Sequence, residues 1–156
     1  MAYVDANDVA GRCAGVMRAI NNDSGVFTSS TDPSLAQVKS FIADVESALD
    51  GHLQAIGLAV PFAAGSVGES RARNYVLTGV VGLVYSAYSR AGGDTGDVDG
   101  EDMIEQFRQH LKDIQTNQVY WKSYYSAAAS TAQSSFTTEG TARDPFFSIS
   151  KKPNMF

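Results

Sequence analysis

The residues of this chain that could do chemistry are few and widely separated. The acid-rich run at 93–102, GDTGDVDGED, has the composition of a calcium loop. With Gly100 in the obligatory glycine position, Asp97 and Asp99 fall on ligand positions. Thr95 and Gln106 then stand where the first carboxylate and the bidentate acid are required, so both strong end ligands are lost. These acids are expected to open a helix instead, and no metal site is expected. His52 and His110 lie on different predicted helices, with no His-Glu-x-x-His spacing and no cysteine partner. His52 falls on the apolar side of its helix, as a histidine at a core edge or an interface. Cys13 is the single cysteine and sits on an apolar face with no basic neighbour to lower its pKa, which describes a buried thiol.

Serine is abundant, but Ala64–Gly65–Ser66–Val67–Gly68 lacks the first glycine of a nucleophile elbow, and Ser66 is better placed as a helix cap. Neither a phosphate-binding Walker sequence nor a Gly-x-Gly-x-x-Gly is present. Tyr120, Trp121, Tyr124 and Tyr125 could stack on bases, yet no basic groove accompanies them. With 12 basic and 17 acidic side chains the formal charge is −5, the wrong sign for a dedicated duplex-DNA binder. No catalytic residue and no cofactor are expected, and the chain does not read as an enzyme.

The elements that would position these residues are helices. At 156 residues, 44% hydrophobic and 19% charged, the chain has the composition of one globular domain. No basic-then-apolar leader is visible at the start, and the longest apolar region, Tyr75–Tyr88, is too short to span a bilayer. Asp5 caps a first helix with Val9, Cys13, Val16, Met17 and Ile20 on one side, ending at Asn21–Asn22–Asp23. Asn22 to Thr31 is a polar turn in which Val26 and Phe27 fold back onto the core.

Asp32 and Pro33 read as the cap and first position of a second helix. Its stripe is Leu35, Val38, Ile42, Val45, Leu49 and Ile56, widened by Phe41 and Leu53, and Gly57 and Pro61 end it. Ser66 and Glu69 open a third helix with a capping-box pattern, running to about Ala91. Val76, Leu77, Val80, Val81, Leu83 and Val84 leave it almost no polar face, so neighbours are expected to enclose it, and some of that cover could come from another subunit. A fourth helix begins near Glu101 and carries Phe107, Leu111 and Ile114; its register continues through Trp121 and Tyr125 after a possible restart at Thr116–Asn117. The predicted core is Val38, Ile42, Val45, Leu49, Val80, Val84, Phe107 and Leu111. The fold class is all-α: a small bundle of four or five helices over residues 1–122.

Residues 123–156 differ in kind. From Ser123 to Ala142, 14 of 20 residues are Ser, Thr or Ala, too poor in large apolar side chains to fold alone. The end, RDPFFSISKKPNMF, is apolar again around two lysines. A tether followed by an extended C-terminal docking arm is the reading, with Arg143, Phe146, Phe147, Ile149, Lys151, Lys152, Met155 and Phe156 as the partner-binding residues. Asp44, Asp50, Arg71, Arg73, Tyr120 and Trp121 are the candidates for a contact between subunits, through charge pairing and through aromatics that favour interfaces. A helical module of the cell that binds one partner through the same arm is the alternative reading.

The wording of the second helix adds a family. A proline-started helix with Val-x-x-Phe-Ile at 38–42, spaced leucines, then Gly57 and Pro61, resembles the head–tail connector (adaptor) proteins of tailed bacteriophages over roughly the first two thirds of the chain. The resemblance implies a structural virion protein in the neck between capsid and tail, made in the host cytoplasm. It implies a dodecameric ring beneath the portal protein that extends the DNA channel, with genome DNA only as passing cargo, and docks the next neck or tail-completion protein. In such proteins the C-terminal segment reaches away from the bundle to grip the portal, the place the 143–156 segment occupies here. No membrane partner is implied.

Overall fold

The computed structural model describes residues 2–13, 25–95, 98–123 and 125. Among these the chain is all-α, with no strand. Four helices are α1 (Ala6–Arg12), α2 (Leu35–Ala55), α3 (Val67–Arg90) and α4 (Gly100–Thr116), and a further helical turn covers 118–123. No described helix is long and apolar enough to cross a membrane.

Each helix begins where a side chain can satisfy its first amides. Asp5 caps α1 by accepting from the Asn7 and Asp8 amides at 2.8 and 2.9 Å, and Asp8 accepts in return from the Asp5 amide. The described helix ends at Arg12 with Cys13 as its cap, and the residues from 14 to Ile20 predicted to extend it lie outside the described residues. In α2 the start differs from the predicted Asp32–Pro33 pair. Ser34 is the cap, accepting from the Gln37 amide, while Gln37 Oε1 accepts from the Ser34 amide at 2.8 Å. The reason is the turn before it: the Thr31 hydroxyl donates at 2.9 Å to the Pro33 carbonyl and the Leu35 amide donates to the Thr28 carbonyl. Pro33 is thereby held outside the helix, and Ser34 is the first residue whose oxygen faces the free amides.

Helix ends follow the same logic. Gly57, at φ +82°, lets the Leu58 amide reach the Leu53 carbonyl and its own amide reach Gln54, a Schellman closure of α2. Gly92, at φ +85°, closes α3 identically through Gly93 to Tyr88. Ser66 caps α3 by accepting from the Glu69 amide, and the Glu69 carboxylate reaches the Gly65 amide. Asp99 caps α4 with Glu101 and Asp102 in the first turn, where negative charge suits the helix dipole.

α3 is the central element, packed against α1, α2 and α4. Val76, Val80 and Val84 have no exposed surface at all. The cover that its apolar sequence demanded comes from this chain's own helices along most of its length. The predicted core is present, with Leu111 half-buried at its margin. The tightest approach is α3 against the start of α4. A Cβ on Gly100 would lie 2.6 Å from both the Gly82 carbonyl oxygen and the Ser86 nitrogen, so backbone meets backbone there.

The N-terminal residues add a clasp. Tyr3, only 5% exposed, donates its amide to Glu46 Oε1 at 2.5 Å and its hydroxyl to Asp50 Oδ1 at 2.8 Å. Burial and the facing Asp50 carboxylate push the phenol well above its ordinary range. Tyr3→Phe keeps the packing and removes only the hydroxyl bond to a carboxylate. It is expected to cost about 1.5 kcal/mol in urea unfolding, the lower end for a bond to a charged group because Asp50 is partly solvated. A variant as stable as the parent would show that the clasp rests on packing alone.

Candidate functional site

The densest group of chemically distinctive side chains is an aromatic junction where the turn 118–123 and Tyr125 meet α3. After Thr116 the helix breaks at Asn117, whose carbonyl then accepts from the Trp121 amide at 3.1 Å and restarts it. This restart carries Trp121 and Tyr125, four residues apart and hence on one face, onto the start of α3. Trp121 is 2% exposed and stacks on Tyr125 with centroids 5.3 Å apart. Tyr125 in turn stacks on Phe62 at 5.0 Å. Tyr75 meets Trp121 edge-on at 6.1 Å, and its opposite neighbour is His110, nearly parallel at 4.2 Å. The Arg71 guanidinium lies over the Trp121 ring at 5.6 Å, a cation–π geometry.

The electrostatics of the junction follow from burial. Burial lowers the His110 pKa below its ordinary value and outweighs the opposing influence of Asp113, so the neutral imidazole is favoured. Burial likewise raises the Tyr75 phenol, with Arg71 opposing. Asp113 also accepts from the Trp121 indole N–H at 3.4 Å and from Asn117. These contacts bind rings and helix ends together.

The residues expected at a subunit contact are distributed as follows. Arg71, Tyr120 and Trp121 meet at the junction, where Trp121 faces its own chain's interior and Tyr120 is 52% exposed. The burial of Trp121 therefore has an intramolecular cause, the restart of α4 against α3. Arg73 pairs with Asp8 of α1 at 2.5 Å, and Asp50 accepts from Tyr3, so both serve contacts within the chain. Asp44 is exposed on the outer side of α2. The arm residues Arg143, Phe146, Phe147, Ile149, Lys151, Lys152, Met155 and Phe156 lie outside the described residues, as does the tether from 126 onward.

The remaining chemical candidates have structural employment. Cys13 is buried, and burial pushes its thiol up to about 12. His52 is half-buried with Nδ1 at 2.8 Å from the Ala48 carbonyl. In the acidic loop Asp97 lies outside the described residues, and Asp99 is committed to capping α4. A polar hollow of about 440 Å³ separates the end of α3 from this loop, lined by Ser86, Arg90, Asp99 and Glu101 among others. Its acid is already engaged: Glu101 accepts from the Ser86 hydroxyl at 3.0 Å and from Arg90 at 3.3 Å. Among the described residues no group of three or more His, Cys, Asp or Glu converges as metal ligands would.

Sequence reasoning placed Trp121 and Tyr125 on the stripe of α4 but did not anticipate Phe62, Tyr75 or His110 beside them. Only the position of Tyr75 four residues after Arg71 hinted at a shared surface. No family model matches this chain, and no curated protein or solved structure matches it either.

Proposed function

We propose that this chain is a structural subunit, a head–tail connector (adaptor) of a tailed bacteriophage that joins a ring beneath the portal. One observation supports the reading: among the described residues, the side chains best suited to chemistry are spent on holding a helical bundle. Cys13 is sealed, the acids Asp5 and Asp99 cap helices, Asp50 and Glu101 accept structural hydrogen bonds, and the histidines lie against a carbonyl and a ring. A protein built this way acts through its surfaces. The 21-residue α2, whose wording carries the resemblance, forms one uninterrupted amphipathic helix, as a bundle subunit requires.

The ring is closed by head-to-tail contacts, since a channel subunit presents different faces to its two neighbours. The arm from Arg143 to Phe156 anchors the subunit to the portal, with Phe146, Phe147, Ile149, Met155 and Phe156 as apolar contacts and Lys151 and Lys152 meeting acidic groups. On this proposal a portal gene lies near this chain's own gene, and the test uses its product. The full chain mixed with portal-bearing capsids is expected to sediment with them and to add a ring of density in negative-stain images. A chain ending at Ala142 should melt at the same temperature and fail to bind. Capsids that ignore the full chain, or a stable two-fold dimer with and without portal, would overturn the proposal. Normal binding by the truncated chain would remove the arm from it.

A further inference from the structure

The aromatic junction does more than fill space, because the turn it holds is one the helix rules would not hold alone. Residues 118–123 make little more than a single turn, set off from α4 by the break at Asn117. An isolated helix of this length is unstable in water and persists only through its tertiary contacts. Those contacts are the rings: Trp121 and Tyr125 against Tyr75 and Phe62. The other residues of the turn face solvent, with Val119 84% and Tyr120 52% exposed. The end of the described chain is thus held by one cluster, and a histidine is built into it.

We propose that the turn 118–123 with Tyr125 is a latch, closed by the stacking of Trp121 and Tyr125 on α3 and released when His110 takes up a proton.

The geometry supplies the coupling. His110 lies flat on Tyr75, and Tyr75 is the ring that meets the edge of Trp121. The Tyr75 ring of α3 faces His110 directly and Asp113 of α4 acts on both, while Arg71 of α3 and Tyr120 of the turn act on Tyr75. A proton on His110 puts a second cation into a cluster that already contains the Arg71 guanidinium over Trp121. It also draws on Asp113, the carboxylate that accepts the Trp121 indole N–H. Asp113 couples the two: in the closed state its carboxylate accepts the Trp121 indole N–H, while burial disfavours the charged imidazole beside it, and opening frees that carboxylate to meet the proton on His110. The sign follows: closure is complete above the ordinary histidine value of about 6.5 and weakens as pH falls through the lower value of the closed state. The inference is independent of the connector reading.

The test is amide hydrogen exchange of the whole chain, read residue by residue by NMR from about pH 8 to about pH 5 and expressed as protection factors, which remove the intrinsic pH dependence of exchange. The Trp121 amide, bonded to the Asn117 carbonyl, reports the latch, and the Val80 amide reports the core. In the parent, protection at Trp121 should fall as pH drops below about 6.5, by up to the ratio of the open and closed acid constants, while Val80 keeps its protection. In His110→Phe and His110→Gln the Trp121 protection should not vary with pH, and His52→Gln should behave as the parent. Constant protection at Trp121 in the parent would overturn the proposal. A fall that persists in both His110 variants, or an equal fall at Val80, would overturn it as well.

Discussion

Leu49→Ala will cost this bundle about 2–5 kcal/mol in urea unfolding, the range for removing a large side chain from an enclosed core. Leu49 is 1% exposed on the inner stripe of α2, one helical turn beyond Val45. Val45 itself reaches the backbone of α3, since a Cβ built on Gly79 would lie 2.9 Å from its Cγ1. With α3 pressed that close, the helices cannot settle into the vacated volume without disturbing their own contact. For a chain of this size the loss corresponds to a drop in melting temperature of roughly 10 °C. A change below about half a kcal/mol would show that the α2–α3 contact is not a packed core.

Two glycine-to-alanine changes should have opposite signs. Gly100→Ala places a methyl group 2.6 Å from the Gly82 oxygen and the Ser86 nitrogen, both backbone atoms that no side-chain rotation can move aside. The start of α4 must shift away from α3, and the expected cost is about 1–3 kcal/mol, after the small propensity gain of alanine is counted. Gly51→Ala, on the exposed face of α2 near its C-terminal end with open space around it, meets nothing. There alanine should stabilise by about 0.4–1 kcal/mol by restricting the unfolded chain and favouring the helix. Measured side by side in urea, a Gly100→Ala variant stabilised as Gly51→Ala is expected to be would mean that the close approach of α3 and α4 is not a constraint.

Much of this fold was legible because its signals are local. The stripe of α2 repeats at helical spacing, Ser66 lies three residues before Glu69, and Gly57 stands where a left-handed closing residue is needed. The start of α2 was misread by two residues because Asp32–Pro33 meets the same capping rule as Ser34. What separates them is the Thr31 hydroxyl on the Pro33 carbonyl, a turn contact that periodicity does not encode. The junction shows a second kind of limit. An apolar position says that a surface will be covered and does not say by which chain, so Trp121 reads equally as core or as a candidate subunit contact, and here its own chain covers it. The Tyr3 clasp was invisible for a related reason: its partner Asp50 is 47 residues away, beyond any local pattern.

The backbone contact between Gly82 and Gly100 bears on how the molecule comes together in time. α3 and α4 are joined by the short connection 91–99 and share the most extensive contact of any pair among the described helices. Such a local hairpin forms early, because little chain entropy is lost in closing it. α2 is synthesised before either of them, yet its stripe has nothing to cover until Val76, Val80 and Val84 have been made. Assembly therefore runs against the order of synthesis: the later pair builds the platform, and the earlier helix docks onto it. A nascent chain paused before Val76 would carry most of the α2 stripe bare, and that interval is where aggregation threatens it most.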